Sequence, residues 1–387
     1  MLPVTLQGVG SLEAIELWES SARLRHPVRA AHGTHDHRTI LYLRLVTSEG
    51  EGWGEVAALD NPSDGDPSLG DVRRHLESFW IPRMLTAARQ RDDGGLGSHE
   101  IAMLSPGSVT DRFCSAALEM ALLDAELRRH SLSMAQWLHS DHKALPFGMA
   151  LGIPGAESIE DLTARALLGS EAGASRVRAK IDPSCAVRYL TSLRSALGSL
   201  DLHADANGSY GLLASDQVVA ELTELDGLDL RCIEQPLRSN DLTTYAQLTA
   251  SVATPICLDE GLDSPQKMSL ALRYEAASVF CVKPSRLGGL RSALAVLGQA
   301  RDANMNCFIG GMFESGLARA SLGVLAGHPA CSLVSDIAAP STYFAQDPCE
   351  LRGPVKALQE LWNHNGVGPW PLEKSRSLVG TFPRSSL

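Results

Sequence analysis

The chain has 387 residues, carries a formal net charge of −11, and is 44% hydrophobic. This length exceeds one ordinary domain and supplies enough apolar residues for a large core. An acidic chain that has no Lys/Arg-rich run repels phosphodiester backbones, which argues against nucleic acid as a partner.

The N-terminal region and the cysteines bear on where the protein works. The first twenty residues lack a basic start followed by an unbroken apolar stretch, and no run of about 18 apolar residues occurs. Eight cysteines in a chain of this size are too few for a disulfide scaffold, and no C-x-x-C pair is present. We therefore expect a cytoplasmic protein with reduced thiols and without a membrane partner.

Three histidines near the N-terminus, His32, His35 and His37, have the spacing of metal ligands. A zinc site needs a fourth ligand, and the sequence places none at a suitable distance. We therefore favour a polar loop that joins two strands over a zinc site.

The residues that follow predict a small α+β unit. Residues 39–59 partly alternate apolar and polar side chains around a Ser-Glu-Gly-Glu-Gly turn, which is typical of two strands. Within residues 110–138, apolar side chains such as Ala116, Met120 and Leu123 recur every three to four positions. This spacing predicts one helix with a single apolar face.

From residue 145 the chain repeats a short apolar run, a polar residue at the end of the run, and an amphipathic helix. Seven run ends follow one another at spacings of 24 to 29 residues: Lys180, Asp205, Glu234, Asp259, Lys283, Gly311 and Asp336. A period near 25 residues fits a strand, a loop and a helix, and a first strand from residue 145 brings the count to eight. The predicted fold class is α/β, with a (β/α)₈-type barrel after the α+β unit.

Carboxylates end three successive runs of this repeat. The strand ends of such a barrel converge on one mouth, so Asp205, Glu234 and Asp259 are expected to lie together. Three ionised carboxylates repel one another unless a cation compensates them, and hard oxygen ligands suit Mg²⁺ or Mn²⁺. The alternative, in which each acid caps a helix or pairs with an arginine, explains three in succession poorly. We therefore predict a Mg²⁺ site, with Mn²⁺ as a substitute.

Lysines flank the three acids in the strand order. Lys180 lies on the predicted second strand and Lys283 on the sixth, so their ammonium groups are expected on opposite sides of the metal. A bound dication and the neighbouring Arg178 disfavour the charged form of Lys180, which would let this lysine act as a base. Arg178 cannot lose a proton at useful pH and is assigned to electrostatics or carboxylate binding.

These groups suit one type of reaction. A dication that coordinates a substrate carboxylate neutralises the charge that accumulates when the α-proton leaves, and a lysine can take that proton. The residues thus predict proton abstraction α to a carboxylate, which converts a small-molecule carboxylate substrate into an enediolate. They leave open whether elimination, reprotonation or cycloisomerisation follows.

Six ordered motifs resemble those of the enolase superfamily, most of all its muconate-lactonising subgroup. They are R-A-K-I-D-P (178–183), D-A-N-G (205–208), I-E-Q-P (233–236), I-C-L-D-E (256–260), V-K-P-S-R-L-G-G (282–289) and G-G-M-F-E-S-G-L-A-R-A (310–320). The last motif and the later S-D-I-A-A-P-S-T-Y-F resemble the family of o-succinylbenzoate synthases and N-succinylamino acid racemases. E-G-W-G-E (51–55) extends the resemblance into the first half of the chain.

This resemblance implies a barrel of residues 141–344 and an α+β capping domain of residues 1–140, which the C-terminal segment 345–387 completes. It implies Lys180 as the general acid and base, Lys283 as the lysine on the opposite face, and a metal ion on the three carboxylates. It also implies that the histidine stretch belongs to a loop over the barrel mouth. The residues around the metal and the substrate would be Arg178, Asn207, Glu260, Gly310, Gly311, Met312, Glu314 and Ser315.

Two positions depart from the family pattern. Arg178 stands where the family has the first lysine of Lys-x-Lys, and Gly261 stands where it has a serine after Asp-Glu. Neither position must transfer a proton, so we expect activity to persist. The pair Gly310-Gly311 is expected to keep backbone close to the substrate.

Three functions are compatible with these residues. An o-succinylbenzoate synthase, a carbon–oxygen lyase of menaquinone biosynthesis, is favoured: Lys180 would take the α-proton and assist loss of the hydroxyl on the same face, while Lys283 stabilises the enediolate. In an N-acylamino acid (N-succinylamino acid) racemase both lysines would exchange protons. A barrel that only binds a ligand is the remote alternative, because two lysines and three carboxylates in one mouth carry an electrostatic cost. The sequence leaves open the acyl group of the substrate and the oligomeric state. A homo-oligomer is compatible with it.

Overall fold

A computed structural model describes residues 6, 8–63, 65–104, 107–140, 145–238, 241–349 and 365–386. Within these residues the chain forms an antiparallel sheet of four strands and a parallel sheet of seven. The strands are β1 (Leu12–Ala30), β2 (Gly33–Thr47), β3 (Gly50–Val56), β4 (Gly148–Leu151), β5 (Arg176–Lys180), β6 (Asp201–Asp205), β7 (Ile233–Glu234), β8 (Ile256–Leu258), β9 (Val279–Val282), β10 (Asn306–Ile309) and β11 (Ser377–Pro383). The α-helices are α1 (Leu69–His75), α2 (Ile81–Arg89), α3 (Ser98–Met103), α4 (Val109–Arg129), α5 (Met134–Trp137), α6 (Ile159–Glu171), α7 (Ala186–Leu197), α8 (Ser215–Thr223), α9 (Leu242–Ser251), α10 (Pro265–Tyr274), α11 (Pro284–Leu287), α12 (Leu290–Asp302) and α13 (Gly316–Ala326).

The antiparallel sheet is built on a long hairpin. β1 pairs with β2, β2 pairs with β3, and β11 from the C-terminal region pairs with the other edge of β1. The predicted pair of strands in residues 39–59 is confirmed, although β2 starts earlier than predicted, at Gly33. Strand β1 was not predicted, and its pairing with β2 shifts register between Arg23 and Val28.

Helix α4 packs on β3 with little space between the two backbones. A Cβ atom on Gly54 would collide with the carbonyl oxygen of Ala117, and one on Gly52 would collide with that of Ala121. The glycines of the E-G-W-G-E motif therefore permit the close approach of this helix to the strand.

The prediction of one helix over residues 110–138 is wrong in two respects. Helix α4 ends at Arg129 and α5 begins only at Met134, because Ser131 adopts a left-handed backbone with a φ of 53°. The predicted single apolar face is also too narrow, since every side chain of α4 from Phe113 to Leu127 is buried. Strand β3 covers one part of this helix, and α11 and α12 cover another.

The parallel sheet follows the order β4 to β10, and residues 331–336 connect its two edges. Cys331 forms an isolated bridge with Cys307 on β10, and Ser335 forms one with Phe147 next to β4. Backbone hydrogen bonds accompany both bridges. The sheet thereby closes on itself, and the predicted α/β barrel with a separate α+β part is confirmed.

The eighth strand, predicted to end at Asp336, is not regular. The described residues form only single bridges there, because the hydroxyl of Ser335 accepts the backbone hydrogen bond of Ile309 at 3.0 Å. In a regular β-ladder the amide of Ile309 would donate to a backbone carbonyl. Here it donates to the side-chain oxygen of Ser335 instead.

We retain the division into a capping domain (1–140 with 345–387) and a barrel (141–344) as a proposal. The pairing of β11 with β1 supports it, because residues from both ends of the chain share one sheet. Residues 141–144 at the boundary and 350–364 of the C-terminal segment lie outside the described residues. Among the described helices, none combines the length and the apolar character that crossing a bilayer requires.

Candidate active site

The carboxyl ends of five neighbouring strands hold the charged residues that the sequence predicted there. Lys180, Asp205 and Glu234 are the last residues of β5, β6 and β7. Asp259 and Lys283 directly follow β8 and β9. Parallel pairing aligns Lys180 with Asp205 and Asp205 with Glu234, so these strand ends reach the same level of the barrel. The structure thus brings the five side chains to one mouth.

Arg178 lies between the three carboxylates. Asp205, Glu234 and Asp259 are fully buried. Nη2 of Arg178 is 2.8 Å from Oδ2 of Asp205 and 2.5 Å from Oε1 of Glu234. The same nitrogen lies 4.0 Å from Oδ2 of Asp259, and Nη1 donates to Oδ2 of Asp336 at 2.6 Å. One guanidinium group therefore compensates part of the negative charge of four acids.

Each lysine is held by a different carboxylate. Nζ of Lys180 donates to Oδ2 of Asp205 at 2.9 Å and to Oδ1 of Asn207 at 2.5 Å. Nζ of Lys283 donates to Oδ2 of Asp259 at 2.7 Å. Strands β6, β7 and β8 separate the strand of Lys180 from that of Lys283. The two amino groups therefore flank the acids from opposite sides.

The chemistry of the three acids fits a hard dication. Burial raises the pKa of Glu234 to about 8; Arg178 opposes this rise, whereas Asp205 and Asp259 add to it. Oε2 of Glu234 has no hydrogen-bond partner among the described residues. Burial also acts on Asp259, but Arg286 and other cations outweigh it and hold the pKa of that carboxyl well below its usual range. A buried carboxylate oxygen without a partner beside Asp259 is a suitable donor for Mg²⁺. Oxygens of all three acids do not come within 4.8 Å of one another, because the guanidinium group of Arg178 lies between them.

Arg286 connects this site to the N-terminal part of the chain. Its Nε and Nη2 donate to the two carboxylate oxygens of Asp66 at 2.9 and 2.6 Å. Its Nη1 donates to Oδ1 of Asp259 at 2.5 Å. Arg286 belongs to the sequence motif V-K-P-S-R-L-G-G, but its role was not predicted, and Asp66 was not predicted as a site residue. The two residues are 220 positions apart, so no local pattern could have revealed the pair.

A cavity of about 140 Å³ lies at this mouth. A cavity of about 150 Å³ holds one benzene molecule, so a small organic acid fits a space of this scale. Cations dominate the charged residues of its wall, which are Arg165, Arg178, Lys180, Lys283, Arg319 and Asp336. Each of these five cations is also paired with a carboxylate, so the wall offers an anionic ligand N–H donors rather than a net positive charge.

The predicted site residues differ in their relation to the cavity. Those that line it are Arg178, Lys180, Asn207, Lys283, Gly311 and Met312. Further lining residues that sequence analysis did not assign to the site include His26, Arg165, Phe313, Arg319, Asp336 and Tyr343. Tyr343 belongs to the quoted S-T-Y-F motif, and Asp336 was predicted as a strand end. Both residues could therefore have been assigned to the site from the sequence.

Glu314 and Ser315 hold the loop that follows β10. Glu314 forms an ion pair with Arg319 at 2.6 Å and accepts a hydrogen bond from the amide of Met312 at 2.7 Å. The hydroxyl of Ser315 donates to Oε2 of Glu55 on β3 at 2.7 Å. These contacts fasten the loop to the antiparallel sheet, and neither side chain is part of the cavity lining.

Glu260 and Gly310 support side chains that do line the cavity. Nδ2 of Asn207 donates to Oε1 of Glu260 at 3.2 Å. A Cβ atom on Gly310 would lie 2.7 Å from Cε of Lys283. The glycine expected to bring backbone near the substrate therefore also leaves the space that Lys283 occupies.

The histidine stretch does not form the predicted polar loop. His32 lies in the turn after β1, whereas His35 and His37 belong to β2, because the hairpin extends to this point. Nε2 of His32 and Nε2 of His35 are 3.0 Å apart, and both side chains line the cavity. Burial and the nearby Lys180 lower the pKa of each to about 4, so both are neutral at pH 7. The exposed His37 instead contacts Asp36.

Comparison with known proteins identifies the family. A family model described as enolase C-terminal domain-like matches residues 161–359. The chain belongs to the enolase superfamily. The recognition of this superfamily from six sequence motifs is confirmed.

Individual members of the superfamily match most of the chain. An o-succinylbenzoate synthase from Bacillus subtilis (strain 168) is 29% identical over 87% of this chain and 87% of its own. An N-succinylamino acid racemase from Amycolatopsis sp is 32% identical over 88% of this chain and 89% of its own. The structure of a probable mandelate racemase from Alicyclobacillus acidocaldarius matches with a TM-score of 0.80 at 28% identity, covering 97% of this chain and 100% of that one.

Proposed function

We propose that this enolase-superfamily enzyme abstracts the proton α to a carboxylate in a Mg²⁺-dependent reaction. The observation that carries the proposal is the arrangement of Lys180 and Lys283, which line one cavity from opposite sides of three buried acids. Asp205, Glu234 and Asp259 would hold Mg²⁺, for which Mn²⁺ can substitute. When bound, the dication supplies charge that stabilises the enediolate form of the substrate carboxylate.

The side chains around the acids then have distinct tasks. Nζ of Lys180 takes the α-proton, and the hydrogen bond to Asn207 orients this amino group toward the cavity. Arg178 and Lys283 stabilise the negative charge that develops on the substrate. The N–H groups of the cationic side chains in the cavity wall donate to a small carboxylate substrate.

The physiological reaction that we favour is the o-succinylbenzoate synthase reaction. In it the α-carbon–hydrogen bond breaks first and the proton moves to Lys180. The same ammonium group then returns the proton to the departing hydroxyl, the carbon–oxygen bond breaks, and water leaves. The similarity to the synthase from Bacillus subtilis supports this choice. Lys283 stays protonated throughout and acts by its charge.

Racemisation of N-succinylamino acids is the second candidate. It needs one acid–base group on each face of the α-carbon, and both lysine side chains line the cavity. The racemase from Amycolatopsis sp, at 32% identity, supports this alternative. The two reactions share the deprotonation step, so one site can perform both.

Metal removal together with assays of both reactions tests the proposal. We expect that chelator treatment abolishes activity toward both substrate classes and that added Mg²⁺ restores it, because the buried acids cannot stabilise the enediolate alone. Turnover of the synthase substrate should exceed that of N-succinylamino acids. Activity that is indifferent to the chelator, or turnover of neither substrate class with Mg²⁺ present, would contradict the proposal.

Substitution of Gly310 tests the position of Lys283. Gly310→Ala should lower kcat by roughly 100-fold, because the new methyl group displaces the Lys283 side chain and a 1 Å misplacement costs about this much. Gly298→Ala in α12 is the matched control, since apart from its chain neighbours and the backbone of its own helix no atom lies within 4 Å of the added methyl group. Equal activity of the two variants would show that Lys283 does not need this space.

A further inference from the structure

The barrel interior beneath the acids contains sulfur and imidazole groups. The residues two positions before Asp205, Glu234, Asp259 and Lys283 are His203, Cys232, Cys257 and Cys281. We call the three cysteines among them the thiol layer. Side chains of a strand alternate between its faces, so the thiol layer faces the same interior as the charged residues. All four side chains are buried, and Nδ1 of His203 lies 3.5 Å from Sγ of Cys232.

One member of the thiol layer reaches the metal-site acids. A carboxylate oxygen of Glu234, a carboxylate oxygen of Asp259 and Sγ of Cys281 all lie within 4.8 Å of one another. Within the described part of the chain, no other set of three His, Cys, Asp or Glu side chains is grouped so closely. Glu234 also offers the buried Oε2 atom that lacks a hydrogen-bond partner among those residues. The close grouping and the unpartnered oxygen both point to a ligand at this position.

The position of Cys281 is fixed by its neighbours. It lies on β9, two residues before Lys283, and it is 1% exposed. A Cβ atom on Gly310 would collide with its sulfur atom. The absence of a side chain at residue 310 therefore leaves space for the thiol close to the acids.

We propose that Cys281, together with Glu234 and Asp259, forms a binding site for thiophilic dications such as Zn²⁺ and Cd²⁺. The inference rests on the proposed function, because two of these residues also belong to the proposed Mg²⁺ site. Oxygen ligands alone suit Mg²⁺, whereas a thiolate beside carboxylates selects softer ions. Burial and the neighbouring Asp259 and Glu234 raise the pKa of the Cys281 thiol well above its usual value, so the dication must displace the thiol proton. On binding, the sulfur–hydrogen bond breaks, a sulfur–metal bond forms, and the proton passes to solvent. The softer ion then displaces Mg²⁺ from the shared carboxylates.

Cadmium titration of the chelator-treated, full-length protein tests this site. We expect a thiolate-to-cadmium charge-transfer band that grows to one equivalent in the wild type. In Cys281→Ser the band should be absent, and Cd²⁺ should bind about tenfold or more weakly, as is typical when a metal-supporting side chain is lost. Cys257→Ser is the matched control, because Cys257 belongs to the same thiol layer but not to the group of three. It should retain both the band and the affinity.

Two outcomes would overturn the assignment: a band that persists in Cys281→Ser, or one that is lost equally in Cys257→Ser. Cadmium NMR of the wild type gives the answer without any variant, since sulfur coordination shifts the resonance downfield and an oxygen-only signal contradicts the proposal. Mg²⁺-dependent exchange at the α-carbon tests the function separately. A Cys281-dependent band without that exchange would support the thiophilic site and contradict the proposed reaction.

Discussion

Replacement of Lys180 by alanine is expected to lower kcat by roughly 10²- to 10⁴-fold, the contribution typical of a positioned acid–base group. Lys180 carries the amino group on one side of the acids and lines the cavity. Alanine cannot accept a proton, whereas the three buried carboxylates remain in place. Mg²⁺ binding, measured by isothermal titration calorimetry, should therefore persist while turnover is lost.

A matched control separates this role from a general effect of lost charge. Lys374→Ala removes an exposed lysine that is not part of the cavity wall, and it should leave kcat unchanged. Retained turnover in Lys180→Ala would refute the assignment of this residue as the base. Loss of Mg²⁺ binding in the same variant would instead give Lys180 a role at the metal site.

Replacement of Lys283 by arginine is expected to separate the two candidate reactions. Arginine keeps the positive charge that stabilises the enediolate, but it cannot transfer a proton at useful pH. Dehydration of the synthase substrate should therefore continue at a reduced rate, and racemisation of N-succinylamino acids should stop. Nuclear magnetic resonance in deuterated solvent follows both reactions, because dehydration yields a new product and each proton returned to the α-carbon during racemisation is replaced by deuterium.

The two enantiomers of the racemase substrate are expected to behave differently in this variant. In Lys283→Arg, the enantiomer whose α-proton faces Lys180 should exchange without inversion, and the other should not exchange. Exchange of both enantiomers at the wild-type rate would contradict the assignment of one lysine to each face of the α-carbon. In Lys283→Ala the positive charge is also lost, so dehydration should fall further than in the arginine variant.

Sequence patterns predicted the charged residues of the mouth because each follows a short apolar run. Lys180, Asp205 and Glu234 end their strands, and Asp259 and Lys283 follow theirs directly. The geometry of a parallel barrel then requires that these ends meet, so local pattern and fold class together were sufficient. The same reasoning predicted the barrel but overestimated the regularity of residues 331–336. There the hydroxyl of Ser335, and not a backbone carbonyl, accepts the hydrogen bond of the Ile309 amide.

Contacts between distant parts of the chain escaped prediction. Ser315 and Glu55 are 260 positions apart, and Arg286 and Asp66 are 220 apart. Such pairs arise from how the antiparallel sheet and its loops pack on the barrel, which no window of the sequence encodes. The breadth of burial around α4 has the same origin, because β3 and the barrel helices α11 and α12 cover different sides of it.

The electrostatic role of Arg178 was predicted from the sequence, but its contacts were not. Its electrostatic role followed from the permanent charge of a guanidinium group. Its contacts with Asp205, Glu234 and Asp336 depend on the barrel interior, where side chains from three strands and the segment ending at residue 336 converge.

Exchange of the α-proton by the wild-type enzyme tests the central claim most directly. The protein is incubated in deuterated solvent with an N-succinylamino acid, with and without Mg²⁺, and deuterium at the α-carbon is followed by nuclear magnetic resonance. Deprotonation by a lysine beside a metal-bound carboxylate predicts incorporation that requires Mg²⁺ and disappears in the double variant Lys180→Ala/Lys283→Ala. Absence of incorporation with Mg²⁺ present, or incorporation that survives removal of both lysines, would contradict it.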